Sequence, residues 1–116
     1  QVLIADDELF NRRLLVSILK GHNIKCQEAV DGGETYRLLN DHHFDLILMD
    51  FRMPKLNGPE VSEKIRSEDG PNKNTPIIGL TATITNQDMK TAKDSGIDHV
   101  LRKPFDVDEL LSVMEK

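Results

Sequence analysis

Residues 45–54 read Asp-Leu-Ile-Leu-Met-Asp-Phe-Arg-Met-Pro, and the apolar run Leu46-Ile47-Leu48-Met49 is closed by an acid, Asp50. A carboxylate at the end of a buried strand is costly unless something pairs with it or coordinates it. Three other strand-like runs end in polar residues of matching kind. Asp6-Asp7 follow Val2-Leu3-Ile4-Ala5, Thr81 follows Ile77-Ile78-Gly79-Leu80, and Lys103 follows Val100-Leu101 by one residue. Three acids, a hydroxyl and an ammonium, each just past a strand-like run, read as one site.

Working outward, strand and helix patterns alternate five times. Strands are expected near 1–5, 24–28, 45–49, 76–81 and 98–101, and helices near 9–20, 32–41, 58–67, 86–95 and 106–115. Asp31, Asn57, Thr85 and Asp106 each stand three residues before an acid, as helix caps do. Gly21 and Gly96 are placed to stop helices. Phe10, Leu14, Leu15, Ile18 and Leu19 form one stripe on the first helix, and Val107, Leu110, Leu111 and Met114 form one on the last. The runs at 2–5, 46–49 and 77–80 are apolar on both faces, which suits central parallel strands, whereas Ile24-Lys25-Cys26-Gln27 alternates like an edge strand. Such alternation implies a parallel sheet covered by helices on both faces. In these sheets, sites form beyond the carboxyl ends of the strands. Asp6, Asp7, Asp50, Thr81 and Lys103 all fall there.

The chain has 116 residues and a net charge of −5, the size of one domain (1–116). Its acidity and lack of a Lys/Arg cluster argue against a nucleic-acid surface. Its apolar runs are too short to insert in a membrane, and it shows no signal-peptide pattern. A single cysteine, Cys26, cannot form an internal disulfide and fits a reducing compartment. The start at Gln1, without methionine, leaves open that the chain is excised from something longer.

Converging carboxylates repel one another and invite a hard divalent cation. Mg²⁺ takes a few carboxylate oxygens plus waters and leaves room for a phosphoryl oxygen. A carboxylate can itself attack phosphorus and carry an aspartyl phosphate. A lysine ammonium and a threonine hydroxyl meet the remaining need for donors around the equatorial oxygens. The four histidines are not needed for this chemistry. His42 and His43 fall near a helix C-terminus, and His22 and His99 flank strands at the end opposite the acids.

Asp6-Asp7, the run from Asp45 to Asp50 with Met53-Pro54 and Gly58, Thr81-Ala82, and Lys103-Pro104-Phe105 together resemble a response-regulator receiver domain of two-component signalling. The resemblance covers essentially the whole chain. It implies a flavodoxin-like, doubly wound, five-stranded parallel sheet of order 2-1-3-4-5. It implies Asp50 as phosphoacceptor, with Mg²⁺ (or Mn²⁺ in its place) held by Asp6, Asp7, Asp50 and the Arg52 backbone carbonyl. Thr81 and Lys103 would stabilise the phosphoryl group, and the bond before Pro104 would be cis. The partner would be a histidine kinase or a histidine phosphotransfer protein, which carries the phosphodonor histidine. The location would be cytoplasmic, or the cytoplasmic side of a membrane-bound hybrid kinase.

Such a domain assists its own phosphorylation and dephosphorylation and is not expected to be an enzyme when isolated; fused in a hybrid protein it would be part of a histidine kinase. Asn11-Arg12 resembles receivers attached to hybrid kinases. Val100 stands where relatives often have an aromatic switch residue, so the expected switch region, Thr81, Ala82, Met89 and Val100, lacks one. Only Met89 and Ala92 anchor the fourth helix in this reading.

Three alternatives stay open. A magnesium-dependent phosphatase with an aspartate nucleophile would place two acids one residue apart after a single strand, unlike Asp6-Asp7 and Asp50. A flavin protein of similar fold would meet repulsion from Asp6-Asp7-Glu8. A degenerate receiver that only docks partners would not need the complete residue set.

Overall fold

Side chains that alternate along the central strands face two separate apolar layers, and this decides where everything else sits. The computed structural model describes residues 1–114. The elements run β1 (Val2–Ala5), α1 (Leu9–Gly21), β2 (Cys26–Ala29), α2 (Gly32–Asp41), β3 (Leu46–Asp50), α3 (Gly58–Ser67), β4 (Ile77–Thr81), α4 (Asn86–Ser95), β5 (His99–Arg102) and α5 (Val107–Met114). The five strands form one parallel sheet in the order β2-β1-β3-β4-β5. Leu3, Ala5, Ile47, Met49 and Ile77 face α2, α3 and Ala92 of α4. Val2, Ile4, Leu48, Ile78 and Leu80 face Leu15 and Leu19 of α1 and Leu110 of α5. The expected final residue of the last helix, 115, lies outside the described residues.

Strand register then builds one edge. Ala5 is opposite Met49, so Asp6, one step past β1, stands beside Asp50, the last residue of β3. Asp50 is opposite Leu80, which puts Thr81 one step beyond it. Gly58, the first residue of α3, packs so closely here that a Cβ on it would lie 2.4 Å from the Asp50 carbonyl oxygen.

The capping spacings are realised. Asp31, Asn57, Thr85 and Asp106 each accept a hydrogen bond from the backbone N–H three residues on. Gly96 ends α4 in the left-handed region, at φ 87°.

Several expectations are corrected. Gly21 is the last helical residue of α1, and the left-handed turn after it is made by Asn23, at φ 60°. The edge strand begins at Cys26 because Ile24 is still tied to α1, its N–H donating to the Leu19 carbonyl. His42 and His43 lie just past α2, not on it. On α1 the apolar stripe splits: Leu15 and Leu19 are buried, but Phe10 and Leu14 are exposed and Arg12 is buried in their stead. On α5, Val107 is exposed while Leu110 is enclosed. On α4, Met89 is 48% exposed and anchors nothing; Ala92 and Ser95 do.

Candidate functional site

At the carboxyl edge of the sheet, Asp6 and Asp50 are buried and Asp7 is exposed. One carboxylate oxygen from each lies within 4.8 Å of the others. Lys103 bridges two of them, its Nζ 3.1 Å from Asp6 Oδ2 and 3.2 Å from Asp50 Oδ2. Asp6 Oδ1 also accepts from the Glu8 N–H at 2.9 Å, and Asp50 Oδ1 accepts from the Arg52 N–H at 3.1 Å. The cap residue of the first helix is Glu8, which makes no side-chain cap bond and whose own N–H is the one that donates to Asp6.

Electrostatics follow from this enclosure. Burial pushes the Asp50 carboxyl above its ordinary range, against the Arg52 N–H and the Lys103 ammonium, which both favour the charged form. Burial also disfavours the Lys103 ammonium, but the carboxylates of Asp50 and Asp6 outweigh it and hold its pKa above the usual value. One half-buried cation thus serves two buried anions, and an uncompensated negative charge remains. The donor set is all oxygen and two carboxylates are already fixed by hydrogen bonds, which fits a hard divalent cation such as Mg²⁺.

The other expected residues divide into two groups. Thr81 is buried at the same edge, with its hydroxyl donating to the Thr83 carbonyl at 2.9 Å, and the Lys103–Pro104 bond is cis. Arg52 lines a cleft of about 490 Å³ together with Asp7, Asn57 and Asp88. Ala82 and Met89 are exposed, and Val100 packs against the core under α4, so these three do not join the acids. Sequence reasoning missed Arg12, whose guanidinium reaches the Asp6 backbone carbonyl at 2.9 Å. No motif marks that contact, because one partner is main chain.

Residues 2–115 match the family described as the response regulator receiver domain. A hybrid signal transduction histidine kinase K from Dictyostelium discoideum is 38% identical over 121 residues, covering 99% of this chain and 10% of the relative. The chain therefore spans a small part of that relative's length. A receiver domain of the sensor histidine kinase PA1611 from Pseudomonas aeruginosa, solved with a magnesium ion coordinated in its active-site cleft, is 28% identical. It superposes with a TM-score of 0.89 over 98% of this chain and 93% of that one. The receiver domain of Ssk1 from Saccharomyces cerevisiae, solved with the histidine phosphotransfer protein Ypd1, is 29% identical. Its TM-score is 0.86 over 97% of this chain and 83% of that one.

Proposed function

The chain belongs to the response regulator receiver domains of two-component signalling, and on that premise we propose that Asp50 is its phosphoacceptor. The supporting observation is the Asp6–Lys103–Asp50 bridge beside Thr81, with Asp7 at the open side. In the proposed transfer, an Asp50 carboxylate oxygen attacks the phosphorus of a partner phosphohistidine. The P–N bond breaks, and its electron pair stays on the imidazole nitrogen. Lys103 offers its ammonium to the phosphoryl oxygens, and Thr81 offers its hydroxyl once it leaves the Thr83 carbonyl. Asp6, Asp7, Asp50 and the Arg52 carbonyl would hold Mg²⁺, which supplies positive charge at those oxygens; Mn²⁺ suits the same oxygen ligands.

The partner in this reading is a histidine kinase or a histidine phosphotransfer protein, the latter kind being bound by the Ssk1 receiver. Residues 1–116 act as one receiver unit on the cytoplasmic side, in keeping with the lone Cys26. Among the described residues no helix is long and apolar enough to cross a membrane. Acetyl phosphate with Mg²⁺, followed by mass mapping of the acyl phosphate, is expected to find the label on Asp50. A label on Asp6, Asp7 or a histidine would overturn the assignment.

The switch in this reading runs through α4. Residues 86–91 of the helix bury no side chain, whereas its far end is fixed to α3 by the Ser62 hydroxyl on the Ser95 carbonyl at 2.7 Å and by Arg66 Nε on the Gly96 carbonyl at 3.0 Å. Segments with few buried contacts open at low free energy. Drawing Thr81 away from Thr83 acts directly on the loop that leads into α4. A beryllofluoride adduct is expected to change amide exchange across residues 82–91 by about tenfold, roughly 1.4 kcal/mol of opening free energy. Changes confined to the loops next to Asp50 would put the output on another face.

A further inference from the structure

We propose that Arg12 is a positioning residue that aims the Asp7 carboxylate by holding the peptide group between Asp6 and Asp7. The guanidinium is buried, with 11% of its side chain exposed, and it is used on both sides. Its Nε donates to Glu28 Oε1 on β2 at 3.2 Å, and one terminal nitrogen donates to the Asp6 carbonyl oxygen at 2.9 Å. A buried arginine that donates to a carboxylate and a carbonyl at once uses its planar fork for both, and a lysine cannot hold both contacts in that geometry.

The consequence follows from the planarity of the peptide. Asp6 is secured at its N–H by the Ala29 carbonyl at 3.1 Å, and at its carboxylate by Glu8 and Lys103. The Asp6 carbonyl is the remaining free turn of this residue. Fixing that oxygen fixes the plane shared with Asp7, and so the direction in which the Asp7 side chain leaves the backbone. Asp7 is exposed, and its position among the three acids must come from its backbone. Groups that orient metal ligands typically change affinity by about tenfold or more when removed.

Charge and positioning predict opposite signs. As a cation near the cleft, Arg12 opposes a second cation, so its removal by charge alone would tighten Mg²⁺ binding. As a positioning residue, its removal weakens binding. This part rests on the reading of Asp7 as a Mg²⁺ ligand, so the experiment carries a second readout taken in chelator. Arg12→Met, which keeps the aliphatic stem, is titrated with Mg²⁺ by amide chemical shifts beside wild type and Arg12→Lys.

The expected result is about tenfold weaker binding in Arg12→Met, with a smaller loss in Arg12→Lys. In chelator, the Asp6 carbonyl carbon and the Asp7 amide should shift while β3 and β4 resonances stay in place. Equal or tighter Mg²⁺ binding in Arg12→Met overturns the proposal. An unchanged Asp6 carbonyl resonance in chelator overturns it as well, even if wild type fails to bind Mg²⁺ and the functional reading falls separately. Should Arg12→Met not fold, Arg12→Lys decides by the same two readouts.

Discussion

Asp50→Asn is expected to form no detectable acyl phosphate and yet to melt about 4 °C higher than wild type in chelator at neutral pH, roughly 1 kcal/mol for a domain of this size. Asn lacks the anionic oxygen that the proposed transfer requires, so the chemistry should be lost outright. The stability gain comes from the same carboxylate. Burial raises the Asp50 pKa in the folded protein, so the folded state holds that proton more tightly than the unfolded chain does. Metal-free wild type therefore has the full Asp50 contribution to stability only below the ordinary carboxyl pKa. It loses that stability as pH rises through the folded value of Asp50. Asn does not titrate, so the difference between the two proteins should grow with pH and then level off. A variant that melts lower than wild type at pH 7 would show that the Lys103 contact outweighs the burial of Asp50.

Lys103→Met should act in the opposite direction. It leaves Asp6 and Asp50 enclosed with no cation between them. Breaking a fully buried ion pair costs roughly 3–5 kcal/mol, and the open side of the cleft lowers the expected loss here to about 2 kcal/mol in chelator. The Lys103 pKa is held above its ordinary value, so its stabilisation is complete below the ordinary lysine range and is lost as pH rises through the folded value. The variant's deficit should close in acid, where the carboxylates are neutralised, and Mg²⁺ should restore more stability to it than to wild type. Phosphorylation should slow by about a hundredfold, the scale of one lost charge-stabilising donor. A deficit unchanged from neutral pH to acid would locate the damage in packing instead of charge.

The residues that sequence reading placed correctly share one property: their evidence is local. Leu46 to Met49 is apolar without interruption, which only a strand covered on both faces requires, and Asp50 stands out because an acid ends it. Asn57 and Glu60 satisfy each other's backbone N–H groups over three residues, so their spacing alone exposes the helix start. What escaped depends on distant partners. Periodicity records that Phe10, Leu14 and Met89 are apolar, not whether anything covers them, and among the described residues all three stay exposed. Arg12 looks like a surface charge until β2 brings Glu28 alongside it. The bridge from Lys103 to Asp6 joins residues 97 apart in sequence, so each was legible as a polar strand end while their contact was not.

The outer turns of α4 also bear on how such a chain can change over generations. Asn86, Gln87, Met89 and Lys90 all face solvent, and substitutions at sites of this kind usually stay within about 0.5 kcal/mol of neutral. Gly58 has no such latitude, because the Asp50 backbone stands where a Cβ would go, and Asp6 and Asp50 are held by the roles proposed for them. New recognition preferences can therefore accumulate on α4 one residue at a time, while the chemistry beneath stays fixed.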